Sequence, residues 1–324
     1  MIQLNFLQYP HVANTQISSN LSLQALHTNE VALSHVHQLK THFGFAFLKG
    51  FTFTKEGFLG LFLSLQSKIS VSLGESQAVI EAAHAYKALG FELEFIALKR
   101  NGELDYESIK PCDYAFVSSY IMDTFVKVDL QKVKTLSGAK LISNISATLD
   151  KTLADAIYFD SYKLTGFATT SLLLHQGIFA EEYLGQIDTI SVYLLLKAIE
   201  NFTPQLQFKK VFETLLNETF KENIYYFVHP NETLEYTLHF GLKGIKARQI
   251  IRTLSLDEIY VSNGEGCSLG LAKPSRVLQD MGYEEHEARW ALSLNFSQRL
   301  SQEEINQFVQ TLARKYRQIK ALEQ

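Results

Sequence analysis

Two side chains in this chain of 324 residues have types and settings that could do chemistry, and both sit where the local pattern breaks. Cys267 lies in the run from 264 to 270, where Gly264, Gly266 and Gly270 are glycine, between an extended stretch at 258–261 and a helix opening at Pro274 and Ser275. Glycine at that density lifts the steric bar to positive φ, and proline suits a first helical turn, so the expectation is a mobile lid carrying one thiol. A flexible loop is an odd place for a structural thiol; the alternative is a cysteine serving as a small apolar filler. Lys163 stands in Asp160-Ser-Tyr-Lys-Leu-Thr-Gly166, which interrupts two extended runs. A lone lysine is ordinarily a solvated charge, but an amine lodged between two strands beside a cavity is desolvated and becomes nucleophilic toward an aldehyde.

Other polar residues point away from chemistry. His35 and His37 fall on one helical pattern but about 200° apart by the 3.6-residue period, so they cannot share a metal ion, and no metal site is expected. Cys112, beside Pro111 at the start of an extended run, reads as a buried structural thiol.

The elements that must position Cys267 and Lys163 follow from periodicity. Apolar Val31, Leu33, Val36, Leu39 and Phe43 recur at helical spacing over 29–43. Extended runs at 45–54, 67–73, 91–98, 114–120, 140–145, 156–159 and 170–175 alternate with helical ones at 56–65, 76–89, 105–109, 130–136 and 188–200. That alternation predicts an α/β fold: a mainly parallel sheet with helices on both faces. After Pro204 the pattern changes to a helix over 208–220, strands over 224–229 and 232–240, a further helix and the cysteine loop. The expected organisation is therefore a large α/β domain over 15–203 and a smaller C-terminal α+β domain over 204–324, with residues 1–14 assigned to neither. Ser301 and Glu304 form a capping box, and Ile305, Phe308, Val309 and Leu312 make one apolar stripe behind it.

Composition narrows the class. The chain is 46% hydrophobic and 20% charged, with a net charge of −4 and both signs interspersed, so it carries no electrostatic footprint for nucleic acid. Two cysteines make no disulfide framework and fit a reducing, cytoplasmic setting. The first ten residues lack the basic segment and cleavage site of a signal peptide, and the most apolar stretch, near 57–65, is too short to span a bilayer.

The cysteine loop, with the Pro274-Ser-Arg-Val-Leu278 helix start and Gly282 in step behind it, resembles the active-cysteine loop of the cysteine desulfurases. These are pyridoxal-phosphate (PLP) enzymes of the class V aminotransferase superfamily, with the transferase fold type I. Phe240 to Leu254 is similar to the family's helix that leads into the loop, and Asp160 to Gly166 to the segment whose lysine forms the Schiff base. The resemblance implies PLP as electron sink for L-cysteine, Lys163 as Schiff-base lysine and proton carrier, and Cys267 as the thiolate that takes the substrate sulfur as a persulfide. It also implies a homodimer and a sulfur-acceptor protein.

Several positions differ in type from the family's. Ser76, in Glu75-Ser-Gln-Ala-Val79, stands where a histidine stacks on the cofactor ring, and Asn144 where an aspartate pairs with the ring nitrogen. Ser118 to Asp123 replaces an asparagine-asparagine-glutamate segment. Phe51 to Gly57 replaces the phosphate-holding turn, leaving Thr54 and Lys55 as its candidates, with Ser161 and Tyr162 beside Lys163. Glu56 and Asp160 would repel a phosphate dianion. Ala291 takes the place of the arginine that binds the substrate carboxylate; Arg289, two residues earlier and on the same face if the segment is a strand, is the expected substitute. The readings that follow are a divergent PLP-dependent desulfurase, a non-catalytic homologue acting as partner, regulator or sulfur carrier, and an ordinary aminotransferase with no need of Cys267.

Overall fold

A computed structural model describes residues 1–5, 7, 30–150, 153–182, 186–263 and 273–322. Its centre is a seven-stranded sheet. In chain order the elements are β1 (Ile2–Gln3), α1 (Glu30–Phe43), β2 (Phe47–Phe51), α2 (Lys55–Leu65), β3 (Ile69–Ser72), α3 (Gln77–Ala88), β4 (Leu93–Ile96), β5 (Tyr114–Phe116), α4 (Leu130–Ser137), β6 (Lys140–Asn144), β7 (Ala156–Tyr158), α5 (Ser161–Thr165), β8 (Ser171–His175) and α6 (Thr189–Glu200). The strands lie in the order β2-β8-β7-β6-β5-β3-β4. From β4 to β7 every pair is parallel, while β8 runs antiparallel to both β7 and β2.

Strand periodicity divides the core. Phe116, Ile142, Ala156 and Leu173 face α2 and α3, where Phe58, Phe62, Val79 and Tyr86 cover them. Their chain neighbours Ala115, Leu141, Ile157 and Leu172 face the other way, toward α1, α4 and α6 through Leu39, Val133 and Leu195. Side chains of successive residues point to opposite faces, so near-continuous apolar runs in β5 to β8 are what a sheet covered on both sides requires. Helix ends carry the expected signals: Thr54, Asp129 and Asp160 cap α2, α4 and α5, and Gly138 and Gly166 end α4 and α5 at φ +64° and +76°.

The remaining elements are α7 (Phe208–Phe220), β9 (Ile224–Tyr225), β10 (Thr237–Leu242), α8 (Ala247–Ser255), β11 (Ile259–Tyr260), α9 (Arg276–Asp280), α10 (Glu285–Ala288), β12 (Ala291–Asn295) and α11 (Gln302–Leu322). They build a three-stranded antiparallel sheet, β12-β10-β9. The second strand starts later than its sequence suggests: Pro230–Glu232 forms a turn of 3₁₀ helix, and Glu232 to Tyr236 crosses to Val126 before the ladder begins at Thr237. The N-terminal residues side with this part, since β1 pairs in parallel with β11 and Asn5 with Asn295. One apolar cluster runs from α1 and α6 of the large sheet through to α7, α8 and α11.

The strand order sets where a site can lie. After β3 the chain moves out to the edge strand β4 and returns to β5 on the other side of β3. At such a reversal, connections leave in opposite directions and open a crevice outside the carboxyl ends of the strands.

Candidate functional site

The carboxyl edge of the large sheet carries a row of buried polar groups. Phe116 and Ile142 are paired, as are Asn144 and Tyr158, so Ser118, Asn144 and Tyr158 follow one another across β5, β6 and β7. Glu75, from the turn between β3 and α3, closes over the row: its Oε2 accepts from Ser118 Oγ at 2.8 Å and from the Tyr158 hydroxyl at 2.9 Å. Glu75, Asn144 and Tyr158 are 0% exposed and Ser76 1%. Burial, with the adjacent Glu75 carboxylate, holds the Tyr158 phenol well above its ordinary pKa, so it stays a donor.

Asn144 has a fixed orientation. Its Oδ1 accepts from the Ser146 backbone N–H at 2.9 Å and from Ser146 Oγ at 2.6 Å. Nδ2 is therefore the amide's other end, and it has no partner among the described residues; neither has Ser76 Oγ, although Ser76 occupies the N-cap of α3.

Lys163 sits one connection away. Asp160 caps α5 with Oδ1, which accepts from the Lys163 backbone N–H at 3.2 Å, and the Asp160 N–H donates to Ser146 Oγ at 2.8 Å. Ser146 thus ties the lysine turn to Asn144. The Lys163 side chain is 13% exposed; its Nζ lies 4.0 Å from Asp160 Oδ2 and 3.6 Å from Met122 Sδ. The ammonium is already matched by a carboxylate. Ser161 Oγ is taken by the Thr170 carbonyl at 2.9 Å, and Tyr162 points outward, 43% exposed.

Cys267 lies outside the described residues, but both approaches to its loop are described. Before it, Ser262 pairs with Ser293, whose Oγ donates to the Asp123 carbonyl at 3.3 Å. After it, Ser275 caps α9 and donates through Oγ to Asp123 Oδ2 at 2.7 Å. Asp123 is 3% exposed and holds φ at +64°, a left-handed conformation that aspartate tolerates better than most residues. It follows Met122, the neighbour of Lys163. His239, opposite Ser293 and 2.9 Å from its Oγ, is 1% exposed, and burial lowers its pKa to about 3.

Two further expected site residues have local partners. Thr54 Oγ1 accepts from the Gly57 N–H at 3.2 Å, so the hydroxyl caps α2 itself and engages one of its free amides. The turn around it is aromatic, with Phe53 and Phe58 ring centres 6.2 and 5.4 Å from that of Tyr158. Arg289 is not on a strand. A reciprocal capping box between Glu284 and Glu287 winds a helical turn, Arg289 ends it with helical backbone, and β12 begins only at Ala291. Its guanidinium meets Glu285 Oε1 at 2.7 and 3.1 Å. The alternation that put Arg289 on the face of Ala291 therefore does not apply.

The comparisons agree with this architecture. The chain is 22% identical over 284 residues to cysteine desulfurase IscS 1 of Archaeoglobus fulgidus, covering 75% of this chain and 72% of that protein. It is a divergent relative of the cysteine desulfurases. Among solved structures, a NifS-like protein superposes with a TM-score of 0.76 over 97% of this chain and 98% of its own, at 13% identity. The NifS-like protein of Rickettsia africae gives 0.72 at 15% identity, covering 98% and 99%. No family model matches the chain. Among the described residues, no helix is long and apolar enough to cross a membrane, and no group of three His, Cys, Asp or Glu is placed to hold a metal.

A desulfurase that uses PLP needs a ring slot and an anion cradle. Here Ser76 and Asn144, the residues the resemblance expects at the ring, are buried, and the residue three before the lysine is a carboxylate. The hydroxyls of Thr54 and Ser161 already have partners. Among these residues Asp160 is the one whose charge opposes a phosphate. Periodicity did not single out Ser118, Tyr158, Ser146 or Arg276. Arg276 alone left a signal, a cation in the first turn of a helix, where the helix dipole disfavours it unless its charge is engaged elsewhere.

Proposed function

We propose that this chain is a non-catalytic desulfurase-like protein: it keeps the frame of the fold, does not hold PLP, and acts as partner or regulator of a catalytic desulfurase, or as a sulfur carrier through Cys267. The observation that carries this reading is the burial of Asn144 and Ser76, beside a buried Glu75 carboxylate that already has two hydroxyl donors, Ser118 and Tyr158. Buried polar groups are costly unless hydrogen-bonded, and Ser118, Tyr158 and Glu75 satisfy one another, so this part of the row behaves as core. Asp160, 4.0 Å from Lys163 Nζ, adds a fixed negative charge where an anionic group would approach.

A second reading has one observation in its favour. Ser262 and Ser275, on either side of the Cys267 loop, reach Asp123 through Ser293 and directly, and Asp123 adjoins Met122, which touches Lys163. That convergence suits an active desulfurase acting on L-cysteine, with PLP on Lys163 and the sulfur passing to Cys267 as a persulfide for an acceptor protein. In either reading we place the protein in the cytoplasm as a homodimer.

One experiment separates the two. The purified protein is titrated with PLP and assayed for sulfide release from L-cysteine. The non-catalytic reading expects no saturable absorbance change, no effect of Lys163→Ala and no sulfide above background. A yellow protein that loses its colour in Lys163→Ala, with sulfide release abolished by Cys267→Ser, overturns it and establishes the enzyme. Sulfide release that survives Cys267→Ser removes the persulfide role.

A further inference from the structure

The closed row has a fastening on the opposite side of the crevice. Arg276 opens α9, and its guanidinium reaches back to the turn between β3 and α3. Nη1 donates to the Leu73 carbonyl at 2.7 Å, Nη2 to the Glu75 carbonyl, and Nε to Gln77 Oε1 at 3.0 Å. Nη1 also meets Asp280 Oδ2 at 2.6 Å, within α9. A rigid planar fork that engages two backbone carbonyls and a side chain of one turn fixes that turn's position as well as its charge balance. Ser275, one residue earlier, adds the 2.7 Å bond to Asp123 Oδ2. The β3–α3 turn is also held from the β5 side, where the Met122 N–H donates to the Gly74 carbonyl at 2.9 Å.

We infer that Arg276 is a positioning residue that straps the row shut. By fixing the carbonyls of Leu73 and Glu75, it keeps the Glu75 side chain seated between Ser118 and Tyr158, over Asn144. Releasing the strap frees the turn and exposes Ser76 and Asn144. The inference rests on the reading that the row is closed in the native protein, and it adds the element that closes it. Its energetic basis is the strength of hydrogen bonds from an ionised donor, lost together when the guanidinium is removed. Local openings of this kind have their own free energy, below that of global unfolding, and can be read at single positions.

The test uses the full chain and a reporter thiol, Ser76→Cys, alkylated by N-ethylmaleimide and followed at the Ser76 peptide by mass spectrometry, so that Cys112 and Cys267 do not contribute. With Arg276 intact the reporter should react slowly. Adding Arg276→Gln should raise its rate roughly 10- to 100-fold, and Arg276→Lys, which keeps the charge but not the fork, should fall between the two. Asp280→Asn removes the charge that Arg276 meets within α9 while leaving the three bonds to the turn, and should leave the rate unchanged. Hydrogen exchange should rise in step at residues 73–80 while β6 and β7 keep their protection. Should Arg276→Gln fail to fold, Arg276→Lys against Asp280→Asn decides the matter. A reporter equally slow in Arg276→Gln and Arg276→Lys overturns the strap alone. So does an exchange increase confined to 276–281, since that pattern belongs to a local helix contact. A reporter that reacts quickly with Arg276 intact overturns instead the closed row on which the proposed function rests.

Discussion

In the row formed by Ser118, Asn144 and Tyr158, Glu75 matches the hydroxyls of Ser118 and Tyr158 and Ser146 holds the Asn144 carbonyl, with no exposed surface on Asn144 or Tyr158. In the neighbouring turn, from Asp160 to Gly166, the backbone does the organising. Asp160 caps it, Gly166 ends it in the left-handed region, and Lys163 keeps partial exposure with a carboxylate beside it. The turn retains the shape that presents a lysine at the sheet edge, while in the row the side chains at 76 and 144 are buried. Backbone geometry is set by capping, glycine placement and strand register, which tolerate many side chains. A cofactor site is set by the identity of each side chain that faces it, and there is no tolerance of that kind for a carboxylate in a phosphate's place.

If the row is sealed core and the turn is shaped mainly by its backbone, damage to them must differ in size. The largest effect should come from acid. His239 lies on the small-sheet side of the same crevice, with a pKa lowered from 6.5 to about 3 by burial. The folded protein therefore holds it neutral, while the unfolded chain takes up a proton below about pH 6.5. Its contribution is complete above that pH and is lost as pH falls toward 3, at most ~4–5 kcal/mol in all. His239→Gln should flatten the decline in urea midpoint between pH 6 and 4; an unchanged slope would mean the imidazole is not closed in. Next is Glu75→Leu, which strands the hydroxyls of Ser118 and Tyr158 in the core and should cost about 2–5 kcal/mol by denaturant unfolding. Tyr158→Phe removes one donor and leaves Ser118 on the carboxylate, so about 1–2 kcal/mol is expected. A Glu75→Leu protein as stable as the parent would show the row to be an open slot after all.

How legible this was depended on what kind of information each residue carries. The alternation of apolar runs with helices gave the large sheet, because β5 to β8 are covered on both faces and read as unbroken apolar stretches. Local signals placed Thr54, Ser76 and Ser275 at helix starts, whereas the short helix that Gly166 ends read only as an interruption between two extended runs. The second strand of the small sheet was misplaced because Pro230 and Glu232 lie in a 3₁₀ turn that has no strand register. Arg289 was put on a strand face because two-residue alternation was assumed through a segment that the Glu284–Glu287 box winds into helix. The closure over Asn144 joins residues 43 and 83 apart in sequence, Ser118 and Tyr158 to Glu75, and no periodicity spans such distances. The identities of Ser76 and Asn144 were visible; that they are buried was not.

The smallest effects belong to the lysine turn, and they sharpen the contrast most. Asp160 has two functions there: it caps α5 through Oδ1 and lends negative charge to Lys163 through Oδ2. Asparagine keeps the first and removes the second. Asp160→Asn should therefore change stability by only a few tenths of a kcal/mol, because asparagine caps helices about as well as aspartate, whereas Asp160→Ala should cost ~1 kcal/mol. Equilibrium dialysis with PLP adds the functional half. If charge at 160 were the only obstacle, Asp160→Asn would take up the cofactor. With Asn144 and Ser76 still buried, it should stay empty, and uptake by Asp160→Asn alone would move the barrier from the row to a single carboxylate.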